Sequence, residues 1–220
     1  MSAGDLLAAT LEHGAHRPAV VDAGSGRVWT YADLDRRAWR VAQVLQQHGI
    51  GRGDHVAWLA SNRGEFVEAL IGCDRVGAAL VPLNPGGTPW ERERHLRLTR
   101  PALIVDGVHD PSLAGYGAEV VRLGDGAGGY EARLADVPSH TTAADTREDT
   151  IGAVLFTSGS TAAPRGARLS RRMLVTNALA SVEAWAFSTQ TVAAVVSPLW
   201  HAGGLGAMLL PTLLAGGTVV

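Results

Sequence analysis

From His55 onward the chain alternates short apolar runs with helical patterns of about a dozen residues, and that alternation leaves few folds open. Residues 55–60 read as a buried strand, 64–76 as a helix with Phe66, Ala69, Leu70 and Cys73 inward, and 78–83 as the next strand. Thr88-Pro89-Trp90-Glu91 supplies a helix start, with an N-cap, proline at the first helical position and an acid two residues later. Strands follow at 102–105 and 119–123. Strands joined through helices run parallel with right-handed crossovers. The predicted class is therefore α/β, with doubly wound, mostly parallel sheets and flanking helices.

Ahead of this series, residues 5–12 read as a helix, and strands at 19–22 and 27–29 flank Ala-Gly-Ser-Gly, a hairpin turn signal. Thr30 with Asp33 makes a capping-box start, after which Leu34, Ala38, Val41, Ala42 and Leu45 recur at helical spacing until Gly49. Residues 124–149 are rich in Gly, Ala and Asp with little apolar periodicity, so a loop or boundary is expected there. This divides the chain into a first α/β subdomain, 1–149, carrying the N-terminal hairpin, and the start of a second, 150–220. In the second, strand 151–156 leads through a loop to helix 170–185, strand 192–196, helix 203–214 and a strand from Thr218. The pattern breaks off inside that strand, which reads as a fragment.

Composition narrows the function classes. Hydrophobic residues make up 46% and charged residues 18%, a globular balance. A net charge of −2 gives no electrostatic pull toward nucleic acid or anionic membrane. The uncharged stretch 202–220 approaches membrane-spanning length, but its glycines, Pro211 and strand-like end favour a buried helix followed by a strand. One cysteine, Cys73, and the absence of a cationic leader with an apolar core point to a reducing, cytoplasmic setting. All the basic residues are arginine.

The chemistry-bearing feature is the run Leu155 to Gly166, Leu-Phe-Thr-Ser-Gly-Ser-Thr-Ala-Ala-Pro-Arg-Gly, directly after an apolar strand. Small hydroxyls and successive backbone N–H groups in such a loop form a concave nest for an anion. Ser170 is a good N-cap, and Arg168, Arg171 and Arg172 lie beside it. A phosphate chain is thus expected to meet donors, positive charge and a helix N-terminus together. The loop lacks the Gly-Lys-Ser/Thr ending of a Walker loop. A second motif, Pro-Leu-Trp-His-Ala-Gly-Gly-Leu over 198–205, sits at a strand end and enters a helix, where α/β sheets place ligands. A third, Val-Pro-Leu-Asn-Pro over 81–85, leads into Thr88-Pro89.

In this order and spacing the three motifs resemble the adenylate-forming (AMP-binding) superfamily over nearly the whole chain, most closely its acyl- and aryl-CoA ligases. Trp29-Thr30-Tyr31-Ala32-Asp33-Leu34 and Glu65-Phe66-Val67-Glu68-Ala69-Leu70 fit it as well. The resemblance implies the N-terminal portion of an acyl-CoA synthetase-like enzyme that activates a carboxylic acid with ATP as an acyl adenylate, then passes the acyl group to coenzyme A. It implies that Thr157, Ser158, Gly159, Ser160, Thr161, Arg165 and Gly166 contact the nucleotide phosphates. Trp200, His201, Gly203 and Gly204 would stand at the acid-binding side. Mg2+ is expected with ATP, its ligands outside this chain, as are the ribose-binding and catalytic residues of the remaining C-terminal part; no catalytic residue is assigned. Ala162 stands where the family usually has Gly, and Arg165 where it usually has Lys. Alanine at a site built for positive φ costs about 1–2 kcal/mol, and an arginine fork is not a compact ammonium. Two further readings therefore stay open: a ligase impaired in adenylation that converts a pre-formed acyl adenylate to the thioester, and a non-catalytic binding subunit of the same fold.

Other signals are weaker. Gly124, Gly126 and Gly129 match G-x-G-x-x-G after a strand, yet no amphipathic helix is expected behind them. His13 with His16, and His48 with His55, lack the cysteine or carboxylate company of a metal site.

Overall fold

In the computed structural model of the chain, residues 11, 14–124, 126–138, 147–157 and 165–220 are described. The helix expected over 5–12 lies, apart from Leu11, outside them.

Strands β1 (Pro18–Val21) and β2 (Val28–Thr30) form the expected antiparallel hairpin. Helix α1 (Tyr31–Gln47) starts as the Thr30/Asp33 pair requires. The Thr30 hydroxyl accepts from the Asp33 N–H at 3.1 Å, and the Asp33 carboxylate accepts from the Thr30 N–H at 3.0 Å. Gly49, at φ +68°, takes the chain out of that helix.

The larger sheet has six strands in the order β6-β5-β3-β4-β7-β8. These are β3 (His55–Leu59), β4 (Ala79–Leu83), β5 (Leu103–Asp106), β6 (Glu119–Arg122), β7 (Ile151–Thr157) and β8 (Arg165–Ser170). Every neighbouring pair is parallel except β7 with β8. The period of two along β3 sorts its side chains between two apolar layers. Val56 and Trp58 join the layer of α1 and α2 (Gly64–Val76), whereas Ala57 and Leu59 face Leu96 of α3 (Pro89–Thr99) and Leu113 of a 3-10 turn. A sheet covered on both faces is what parallel strands demand. Helix α2 is buried over its whole length, and its Gly72 lets α1 approach: a methyl there would lie 2.5 Å from Val41 Cγ1. Trp58 anchors this layer, with Phe66 and Tyr130 edge-on at 5.6 and 6.5 Å. Each such buried side chain is worth about 1.5–3 kcal/mol.

The smaller sheet runs β2-β1-β10-β9, with β9 (Val192–Ala193) and β10 (Thr218–Val219) parallel to each other and β10 parallel to β1. The N-terminal hairpin thus pairs with the last strand, and the Tyr31 hydroxyl donates to the Gly217 carbonyl at 2.7 Å. Strand pairing crosses the expected division at 149/150 twice, through β4 with β7 and β1 with β10. The α/β class of parallel sheets with flanking helices stands as expected.

Three local expectations need correction. The stretch 124–149 holds a short helix, α4 (Tyr130–Ala135), because Tyr130 and Leu134, four residues apart, both reach the core. The helix expected over 203–214 starts with a π-helical segment, Gly203–Leu209, before α6 (Leu210–Leu214). The phosphate loop is not a strand-to-helix turn: β8 intervenes as an antiparallel return strand before α5 (Arg171–Ala184). Among the described residues, no helix is long and apolar enough to cross a membrane.

Candidate functional site

All three motifs gather at the carboxyl edge of the larger sheet. Strands β3, β4 and β7 are adjacent and parallel, so the segments leaving them, at Asn62, at Asn84 and beyond Thr157, emerge on one side. In open α/β sheets that edge is where ligands sit.

The expected phosphate loop joins β7 to β8. Residues 158–164, which include Ser158, Gly159, Ser160, Thr161 and Ala162, lie outside the described residues; the rungs beneath them do not. Thr157 is paired with Arg165 as the last rung, and Phe156 with Gly166 below it. Gly166 gives the rung its close fit: a methyl there would come within 2.9 Å of Val154 Cγ1 and 3.4 Å of the Phe156 ring. The Phe156 ring stacks on His95 of α3, centroids 3.7 Å apart and planes 13° off parallel. Burial, the largest influence, lowers the pKa of the His95 imidazole; Arg94 adds to that and Glu91 opposes it. Thr157 and Arg165 are exposed, and Arg165 has no ion pair among the described residues. An exposed guanidinium beside a hydroxyl fits an anionic ligand.

The expected cluster of arginines and a helix N-terminus is not assembled there. Arg171 begins α5 at the opposite end of β8, about 20 Å of extended chain away. Its side chain is buried and donates to the Asp74 carboxylate of α2 at 2.7 Å. The sequence pattern sees the cation; the antiparallel return decides where it lands.

The second motif is placed by contacts that sequence reasoning missed. The Asn62 carboxamide donates to the carbonyls of Val195 and Ser197 at 3.1 and 2.9 Å and accepts from the Leu199 N–H at 3.0 Å. A polar amide just past the apolar run 56–60 was the available signal. The Pro198 carbonyl accepts the His201 N–H at 3.1 Å, and a methyl at Gly204 would lie 2.3 Å from that same oxygen. Gly203 faces open space. Trp200 and His201 sit side by side, ring centroids 6.0 Å apart, with His201 exposed. The π-helical turn that follows is held by the Asn177 side chain, which donates to the Gly206 carbonyl at 2.8 Å. Such turns recur at functional sites.

Cys73 takes no part, since complete burial pushes its thiol well above the ordinary value. No cluster of three metal-ligating side chains occurs among the described residues.

Comparison with known proteins adds to this geometry. The family described as AMP-binding enzyme matches residues 7–220. A feruloyl-CoA synthase from Amycolatopsis sp is 36% identical over 204 residues, covering 89% of this chain and 39% of the relative. The 4-coumarate–CoA ligase 3 of Oryza sativa subsp. japonica is 34% identical, over 93% of this chain and 39% of its own length. Among solved structures, ATP-bound MatB from Rhodopseudomonas palustris superposes with a TM-score of 0.88 at 32% identity, covering all of this chain and 45% of that one. An anthranilate CoA ligase in complex with anthranoyl-AMP shares the fold at a TM-score of 0.91 and 23% identity. The chain thus spans less than half the length of these relatives.

Proposed function

The chain belongs to the AMP-binding enzyme family, and from that premise we propose that it forms the phosphate- and acid-facing part of an acid–thiol ligase. The intact protein activates a carboxylic acid as an acyl adenylate and transfers the acyl group to coenzyme A. The observation that carries the reading is the hairpin root, where exposed Thr157 and Arg165 face each other on one rung at the ligand edge of the sheet. ATP supplies the adenylyl group, and pyrophosphate leaves. In this reading Thr157 and Arg165, with Ser158 to Thr161, hold the phosphates, while Trp200, His201 and the two glycines at 203 and 204 border the acid. A planar aryl acid suits an aromatic neighbour such as Trp200, in keeping with relatives named for ferulate and 4-coumarate.

Arg165 and Ala162 favour a second reading, in which adenylation is weak and a supplied acyl adenylate is still converted to the thioester. One experiment on the intact protein separates them. Ferulate with ATP, then synthetic feruloyl adenylate with coenzyme A, are offered while pyrophosphate and thioester are measured. Pyrophosphate from the first mixture eliminates the impaired reading. Thioester from the second mixture alone eliminates the complete ligase. Neither product, with ferulate still bound, points to a non-catalytic subunit. If the two departures are the cause of weak adenylation, Ala162→Gly with Arg165→Lys raises pyrophosphate release; an unchanged rate removes that explanation.

A further inference from the structure

We propose that Asn62 is a positioning residue for the acid-binding end of this site, an inference that rests on the functional reading above. Asn62 leaves β3 of the larger sheet, whereas the segment it grips leaves β9 of the smaller sheet, more than 130 residues further along the chain. Both N–H bonds of the carboxamide and its carbonyl oxygen are committed to three successive alternate positions: Val195, Ser197 and Leu199. That pattern matches the two-residue period of extended backbone, so one side chain acts as a short strand would.

The consequence reaches the Trp200 and His201 rings. Leu199 is buried, and Trp200 is its immediate neighbour. The Pro198 carbonyl lies between two bonds to Asn62 and itself takes the His201 N–H, with the Gly204 backbone pressed against it. The Trp200 and His201 side chains touch each other and make no hydrogen bond among the described residues. Their aim is therefore set by the backbone from 195 to 204, and Asn62 holds the start of that backbone. A carboxylate at 62 would face the Val195 and Ser197 carbonyls with no proton to give, so aspartate cannot substitute.

The test uses the intact protein with ferulate, ATP and coenzyme A. Asn62→Ala raises KM for ferulate about tenfold and leaves KM for ATP within about twofold. Asn62→Asp is impaired at least as much as the alanine variant, although it is closer in shape. In parallel, amide hydrogen exchange in Asn62→Ala speeds up over residues 195–205 and stays unchanged over 165–170. Equal rises in both KM values, or none, overturn the proposal. Should the parent protein form no product from ferulate, it is the functional reading that fails. Exchange over 195–205 then decides the positioning role, and an unchanged rate there overturns it whatever the activity.

Discussion

The two ends of β8 carry arginines of the same chemistry and opposite employment. At one end, Arg165 is exposed beside Thr157, with no ion pair among the described residues. At the other, Arg171 is buried against Asp74 and ties the start of α5 to α2. By sequence alone both belong to one basic cluster around a phosphate loop. The fold separates them because β8 returns antiparallel along β7 before the helix begins. Charge selects the residues that can meet a phosphate; burial selects those that do not.

The comparison is broken most forcefully at Arg171. Removing one partner of a buried pair leaves the other charge stranded, at a cost of about 3–5 kcal/mol. Arg171→Ala should therefore lose that much stability in denaturant unfolding, and any folded fraction should keep the parent KM for ATP. A change in KM for ATP with stability intact would return Arg171 to the phosphate site. Arg165→Ala should behave the opposite way. An exposed surface side chain contributes within about 0.5 kcal/mol to folding, while losing a charged contact to phosphate should raise KM for ATP about tenfold or more. Pyrophosphate release against ATP concentration measures it. Unaltered ATP dependence would remove Arg165 from the phosphate contacts.

What the sequence shows of this molecule follows the range of the interactions involved. Helix α1, with its Thr30/Asp33 box, and helix α3, with Thr88, Pro89 and Glu91, were legible because caps act over three residues. The buried strands β3 and β4 were legible from apolar runs, and the family from the loop at 155–166. Helix α4 was not, since only its packing of Tyr130 and Leu134 onto the core makes six residues helical. Nor was the β7–β8 hairpin, whose second strand, Arg-Gly-Ala-Arg-Leu-Ser, offers only Ala167 and Leu169 as an apolar alternation: it is a largely exposed edge strand held by its ladder, with Leu169 packed against the core. Asn62 was the hardest to read. Its partners lie more than 130 positions away, and no local pattern encodes a contact between two sheets.

The smallest expected effect lies at the His95–Phe156 stack beside the exposed end of β8, and it touches both stability and ATP dependence. A stacked ring pair adds about 0.5–1.5 kcal/mol beyond its buried area. His95→Ala should therefore lower the melting temperature by about 2–4 °C and raise KM for ATP modestly, with KM for the acid unmoved. His95→Phe should restore both, because it keeps a flat ring against Phe156. The imidazole adds a pH signature. Its folded pKa is lowered from the ordinary value of 6.5, so the unfolded chain binds the proton more readily. Stability then rises with pH through the window below that value, because the buried site disfavours the charged ring. Melting the parent and His95→Phe between about pH 5 and about pH 8 should show the parent losing more at the acid end. If the phenylalanine variant loses as much as the parent there, the acid sensitivity belongs to other groups and the stack does not titrate. If His95→Ala leaves both melting temperature and KM for ATP unchanged, the hairpin root is held by the β7–β8 ladder and Gly166 alone.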